Sequence, residues 1–253
     1  MGSNTTALEE ISYALQRRIT PGLKYSQVAF EERLKTVVPA ATKWLDLGCG
    51  HRLLPEWRGD AEAELMKSAP FAVGVDTDYD AIRRHRSFTR LCLGDIARLP
   101  FKSESFDLVT ANMVVEHLGD PVIQFAEVAR VLVPGGRFLF HTPNAHGYIV
   151  SIARLFPDGF KKVLARVLEN RVAEDVYPTH YRANERHSIE EISARSGFEI
   201  EKLDFVTSSP ALGLAGPLVL PELLWIRQLQ RRSGLEEYRP VLICALRRKS
   251  QSA

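Results

Sequence analysis

Residues 44–52 read Trp44-Leu45-Asp46-Leu47-Gly48-Cys49-Gly50-His51-Arg52, and this stretch decides the fold class. A short apolar strand runs into an acid, then into two glycines separated by one residue. Glycine suits a backbone that must take positive φ or that a ligand approaches closely. At the end of the first strand of a doubly wound α/β sheet, such a turn lies where nucleotide-like ligands bind. Two common phosphate patterns are not met: the third glycine of GxGxxG is replaced by Leu53, and no GxxxxGK[ST] occurs. The turn has Asp46 instead, two residues ahead of the first glycine. A carboxylate repels a pyrophosphate and suits a cationic group such as an ammonium or sulfonium.

Working outward, short apolar runs alternate with helical stretches. The runs are 43–49, 71–76, 89–94, 106–113 and 137–142, and the helices fall near 61–68, 79–86 and 121–132. Asp120 followed by Pro121 is a strong helix start, because the carboxylate caps and proline has no N–H to leave unpaired. The β-α-β alternation predicts a doubly wound, mostly parallel sheet covered on both faces. Upstream, residues 1–40 read as two helices broken at Pro21-Gly22. The first has Thr6 and Glu9 as a capping box and Ala7, Leu8, Ile11, Ala14 and Leu15 on one face. Downstream, residues 145–186 hold no clear strand. Ser188 with Glu191 makes a further capping box, Gly197 ends that helix, and 198–206 reads as a strand. Residues 207–236 are apolar and proline-rich, and the last strand is 240–246.

Two more acids close apolar runs: Asp76 in Val73-Gly74-Val75-Asp76-Thr77-Asp78, and Asp95 in Leu93-Gly94-Asp95-Ile96. An acid at the end of the second strand can accept from both hydroxyls of a ribose. One at the end of the third can accept from an exocyclic adenine amine, with Ile96 flanking the ring. Asp78 is read differently, as the N-cap of the following helix.

Composition narrows the class. The chain has 253 residues, 45% of them hydrophobic, with 33 Lys+Arg against 31 Asp+Glu, a net charge of +2. That balance argues against a dedicated nucleic-acid binder. Cys49, Cys92 and Cys244 form no CxxC pair, so a reducing, cytoplasmic setting is expected and a disulfide framework is not. The most apolar stretch, 210–229, is interrupted by Gly213, Gly216, Pro217, Pro221 and Glu222, so no membrane-spanning helix is expected. The N-terminus shows no basic-then-apolar leader. Residues 1–6 fit a minimal myristoylation pattern and are read as a chance match.

Taken in order, these residues resemble the class I S-adenosylmethionine-dependent methyltransferases, in particular their small-molecule and lipid-methylating branch. Asp46-Leu47-Gly48-Cys49-Gly50 is similar to the family's first motif, Asp76 to its ribose-binding acid, and Gly94-Asp95-Ile96 to its adenine-side motif. Phe106–Val109 with Asn112–Leu118 resembles strand four and its cofactor-lining turn, in which a Glu-His pair often follows. Leu132–Phe138 resembles the turn into strand five. The resemblance implies a Rossmann-like, seven-stranded sheet with the last strand antiparallel, and S-adenosylmethionine as cofactor. It implies cofactor contacts at Asp46, Gly48, Cys49, Gly50, Asp76, Thr77, Asp95, Ile96 and Asn112. For Tyr25, a cover over the cofactor and a core role both stand. Two departures are Arg52, where the motif often has a third glycine, and the extra loop Leu53–Trp57. One domain over 1–253 is expected: N-terminal helices 1–40, cofactor-binding core 41–144, substrate-capping insertion 145–186, sheet completion at 187–206 and 237–249, and an apolar insertion 207–236.

A sulfonium methyl moves by in-line attack, so alignment of the acceptor matters most, and a base matters only if a proton must leave. Of seven histidines, His141 and His117 follow strands five and four and are the candidate catalytic bases. His146, Tyr148, His180, Tyr181 and Arg182 are candidate substrate contacts. His85, in an arginine-rich helix, is expected at the surface, and no metal site is expected. In the first insertion Ile149, Ile152, Ala153, Leu155 and Phe156 suggest an amphipathic helix, and Lys161, Lys162 and Arg166 a basic face. Residues 211–229, ending near Arg227, Arg231 and Arg232, read as a helix packed on the core or at a dimer interface, as a hydrophobic lid for a lipid-like acceptor, or as a peripheral membrane contact. The expected partner is a small-molecule or lipid-like substrate, not nucleic acid, with the chain a monomer or homodimer. Methyl transfer to a small molecule leads; a non-catalytic methyltransferase-like module acting through a protein partner is the alternative. An Asn/Asp-Pro-Pro-aromatic motif and a Pro-Cys nucleophile, which mark nucleic-acid enzymes, do not occur.

Overall fold

The computed structural model describes residues 7–154, 177–211 and 218–250. Thr6 of the first capping box, Leu155, Phe156, the basic face at Lys161, Lys162 and Arg166, and residues 212–217 lie outside the described residues.

Seven strands form one sheet: β1 Trp44–Leu47, β2 Ala72–Asp76, β3 Leu91–Leu93, β4 Phe106–Asn112, β5 Leu132–Pro143, β6 Phe198–Val206 and β7 Val241–Arg248. Their order is β3-β2-β1-β4-β5-β7-β6, six parallel and the last in sequence antiparallel. The chain winds outward through β2 and β3 on one side of β1 and through β4 and β5 on the other. The winding therefore reverses between β1 and β4, and the crevice at such a reversal is where doubly wound sheets bind ligands. Eight helices are described: α1 Ala7–Ile19, α2 Ser26–Val37, α3 Gly59–Ser68, α4 Tyr79–Arg83, α5 Pro121–Val131, α6 Tyr148–Arg154, α7 Arg186–Arg195 and α8 Val219–Arg231.

Local chemistry explains most boundaries. Asp120 caps α5 by accepting from the Ile123 N–H, with Pro121 at the first helical position. Asp78 caps α4 by accepting from the Asp80 and Ala81 N–H groups, as read from the sequence. Gly22 (φ +78°) and Gly197 (φ +81°) sit at the expected breaks. The Ser188–Glu191 capping box is not formed. The helix starts three residues earlier, at Arg186 with Glu185 as its N-cap, and the Ser188 hydroxyl donates back to the Glu185 carbonyl. β5 begins five residues before the expected 137, because Phe106 already pairs with Leu132 and an irregularity absorbs the Pro134-Gly135-Gly136 turn.

By contact the described chain divides into two compact units. One comprises 29–143, 179–204 and 242–253 and carries the sheet. Its core includes Phe125, Phe138, Phe140 and Phe198, in edge-on or tilted contacts with centroids 5.1–6.4 Å apart. The other gathers 1–28, 144–178 and 205–241, so α1, α6 and α8 share one unit while most of α2 belongs with the sheet. There α1 packs on α8, and Tyr148, Ile226 and Leu229 form a small core lined by Leu23, Ile149, Ile152 and Leu235. The α1 stripe read as one face is not buried throughout: Ile11 is 58% exposed.

Candidate active site

The sheet fixes Asp46. In register, Trp44 lies opposite Leu108 and Asp46 opposite Thr110; side chains two apart share a face, so Trp44, Asp46 and Thr110 meet. Trp44 Nε1–H donates to Thr110 Oγ1 at 2.7 Å, and the Thr110 hydroxyl donates to Asp46 Oδ1. Asp46 is buried, and that burial raises its pKa from 3.8 to about 8, with Glu62 and Asp76 adding to the rise and the Thr110 bond opposing it. The anion expected from the sequence is therefore, in the free protein, a carboxyl that keeps its proton at neutral pH. A stability consequence follows. Between pH 3.8 and about 8 the folded chain retains a proton that the unfolded chain has released. Stability should fall as pH rises through that window, by up to about 1.4 kcal/mol per pH unit. Thermal melts from pH 5 to 8 check this: Asp46→Asn should lose that part of the slope, and an unchanged slope would refute the assignment.

The glycine turn follows. Gly48 (φ +62°) and Gly50 (φ +54°) both take left-handed backbone. A Cβ on Gly48 would lie 2.5 Å from Val114 Cγ2, whereas one on Gly50 would meet nothing within 4 Å. Gly48 is thus glycine for packing as well as for φ, and Gly50 opens its backbone to free space. Asp76, at the end of β2, holds the turn: its Oδ2 accepts the Gly50 N–H at 2.7 Å and its Oδ1 the Asp78 N–H at 2.9 Å. Each oxygen retains a lone pair for a further donor. Thr77 beside it is exposed. Cys49 is buried between strands, its N–H on the Val75 carbonyl and its thiol pKa pushed up by burial. One strand further out, Asp95 is exposed two residues past β3 and forms a local turn, its Oδ1 accepting the Ala97 N–H; Ile96 is half-buried.

At the ends of β4 and β5, Asn112 Nδ2 donates to the Leu53 carbonyl at 3.2 Å, which turns its Oδ1 to His141 Nδ1 at 2.8 Å. That oxygen can only accept, so His141 carries its proton on Nδ1. Phe30 stacks on the ring at 5.3 Å and 18°. Burial lowers the His141 pKa to about 3, and its Nε2 is buried with no partner. The extra loop is tied down by a residue the sequence did not flag: buried Glu62 accepts the Leu53 and Leu54 N–H groups and the Ser87 hydroxyl. His85, expected at the surface, is partly buried. Its Nδ1 accepts the Ser87 and Phe88 N–H groups, and burial lowers its pKa. Arg52 places its guanidinium 3.7 Å from Glu56, with a buried, unpartnered Nε.

A second polar chain runs beside this one. Buried Asn184 donates to Thr142 Oγ1 at 2.7 Å, and Thr142 donates to Oε2 of buried Glu116 at 2.8 Å. The other Glu116 oxygen lies 3.9 Å from His117 Nε2. The Glu116 carbonyl accepts the His180 and Tyr181 N–H groups, Tyr181 takes φ +52°, and Arg182 donates to the Gly119 carbonyl. Segment 180–182 is therefore docked on the turn after β4. Thr142 and Asn184 were not legible as site residues, because each is significant only through a partner more than 25 residues away.

The remaining candidates belong to the other unit. Tyr25 is 38% exposed and its carbonyl accepts the Val28 N–H. His146 is exposed, its N–H on Asn144 Oδ1. Tyr148 is 7% exposed in that unit's core and donates to Glu222 at 2.8 Å, a core placement where a substrate contact had been expected. Among the described residues no group of three His, Cys, Asp or Glu is arranged to hold a metal, and no helix is long and apolar enough to cross a membrane.

Residues 45–140 match a family profile described as a methyltransferase domain. The chain is 34% identical over 130 residues to a demethylmenaquinone methyltransferase of Mycobacterium sp. (strain KMS), covering 49% of this chain and 54% of that protein. It is 32% identical over 153 residues to the malonyl-(acyl-carrier protein) O-methyltransferase of Herminiimonas arsenicoxydans, covering 57% and 55%. The chain thus spans about half the length of these curated relatives. In fold it is similar to a geranyl diphosphate methyltransferase solved in complex with S-adenosylmethionine, with a TM-score of 0.52, 17% identity, and 88% and 84% of the two chains covered.

Proposed function

We propose that the chain, whose residues 45–140 match a methyltransferase-domain profile, is a class I S-adenosylmethionine-dependent methyltransferase that transfers a methyl group from S-adenosylmethionine to a small-molecule or lipid-like acceptor. One observation carries the reading: the Gly48–Gly50 turn, open to free space at Gly50, is bonded through its Gly50 N–H to the Asp76 carboxylate, with Asp95 beyond the adjacent strand end. These residues fit the cofactor. Asp76 would take the ribose hydroxyls, Asp95 and Ile96 the adenine, and the backbone of Gly48, Cys49 and Gly50 the amino-acid portion, with Asn112 lining the β4 side. When bound, S-adenosylmethionine supplies an electrophilic methyl on a cationic sulfur.

The chain's own part is alignment. Asn112 and Phe30 hold His141 as a neutral ring with its Nδ1 proton committed. A ring with a pKa near 3 is a weak proton acceptor at neutral pH, so His141 serves better as a fixed acceptor at Nε2 than as a base. His117, 19% exposed beside Glu116, is the better-placed proton acceptor for an acceptor that must lose a proton. Its relatives' names suggest quinone-like and thioester-linked acids as acceptor classes to try first. The low basicity of His141 also favours a second reading, a cofactor-holding module that acts through a protein partner. Incubation with methyl-tritiated S-adenosylmethionine and a panel of reduced quinones, malonyl thioesters and lipid extracts tests the proposal. Label passing to an organic-extractable or acyl-carrier product supports the enzyme. Tight cofactor binding without transfer to any acceptor would support the module.

A further inference from the structure

The outer face of α8 is divided along its length. Val219, Glu222, Leu223, Ile226 and Leu229 face inward. Outward, Leu220 and Leu224 are each 47% exposed and Trp225 37%, and Leu218, just ahead of the helix, is 47% exposed. The end of the helix then presents exposed Arg231 and, at the C-cap, exposed Arg232, which make no ion pair with any described residue. The helix's one acid, Glu222, is buried, taking the Tyr148 hydroxyl and the Ala211 N–H. Among the residues of α8, therefore, no exposed acid interrupts this face. α1, packed on α8, is divided in the same sense: Ile11 is 58% exposed and Arg17 and Arg18 lie in its last turn, with Glu10 as an exposed acid.

We propose that this face of α8 docks on the surface of an anionic lipid bilayer. A rise of 1.5 Å per residue puts Arg231 about 10 Å along the helix from Leu224. That matches the depth to which interfacial helices bury their apolar side, about 5–10 Å. With the leucine end dipped among acyl chains, the arginines stand at the phosphates, and Trp225 lies at the boundary where indole is favoured. A second copy of this chain fits the face less well. A parallel pairing sets arginine against arginine, and an antiparallel one sets arginine against leucine.

Co-sedimentation of the full chain with phosphatidylcholine vesicles, with and without 30 mol% (about one third) phosphatidylglycerol, tests this. The chain should sediment with the anionic vesicles and at least tenfold less, roughly, with the neutral ones. Arg231→Gln with Arg232→Gln should lower partitioning on the order of thirtyfold. Leu220→Ser with Leu224→Ser should lower it on the order of a hundredfold. Both pairs are exposed, so circular dichroism should not change. No sedimentation with anionic vesicles overturns the proposal, as does binding that survives both pairs. A dimer in light scattering that the leucine pair dissociates, without vesicle binding, assigns the face to a second copy and also overturns it.

Discussion

Asp76→Ala should abolish cofactor binding while leaving the chain folded. The carboxylate would accept two ribose hydroxyls through charge-assisted bonds, each worth roughly 1.5–3 kcal/mol. Losing both weakens binding by about a hundredfold to ten-thousandfold. Asp76 also holds the Gly50 and Asp78 N–H groups, but these lie on an open turn where water can replace an acceptor, so the stability loss should stay near ~1 kcal/mol. Asp78→Ala is the control. It removes an N-cap, costs about the same ~1 kcal/mol, and should leave cofactor affinity within about twofold. Equal losses of affinity in the two variants would show that turn geometry, not the ribose contact, is what Asp76 supplies.

Gly48→Ala should be the most destabilising small change in the site. A methyl at position 48 meets Val114 Cγ2 at 2.5 Å on a backbone with φ +62°. Left-handed backbone costs an alanine about 1–2 kcal/mol, and overpacking adds about 1–3 kcal/mol. Denaturant unfolding should therefore show a loss of roughly 2–5 kcal/mol. Val114→Ala should restore only the packing part, so the double variant stays about 1–2 kcal/mol below Val114→Ala alone. Full rescue would mean that φ carries no strain; no rescue would mean that Val114 is not the obstacle. Val114 opens the turn that carries Glu116 and His117, so the same contact sets the glycine turn against the turn after β4.

The readings that held came from chemistry acting within a few residues. Asp78 and Asp120 cap the helices they precede, Gly22 and Gly197 end elements, and the acids at the ends of β2 and β3 fall at adjacent strand ends because β-α-β alternation dictates parallel neighbours. The seven strands and antiparallel β7 came from the family resemblance and are observed. What was not legible depends on distant partners. Asp46 reads as an anion until Thr110 and burial are known. His85 reads as a surface residue because its neighbours are arginines, yet it accepts two backbone N–H groups in the turn after α4. Glu62 looks like a surface helix acid, and it organises the loop that separates the glycine turn from α3. Ser188 met a capping pattern, but the helix began earlier, at Arg186. The grouping of α1 with α6 and α8 in one unit has no local signature at all.

The crevice beside Gly48, Gly50 and Asp76 should bind S-adenosylmethionine. Equilibrium dialysis of the full chain against labelled S-adenosylhomocysteine tests it most directly. Binding should be saturable and one-to-one, displaced by S-adenosylmethionine and lost in Asp76→Ala. A folded wild-type chain that retains no label, or label retained equally by Asp76→Ala, would contradict it.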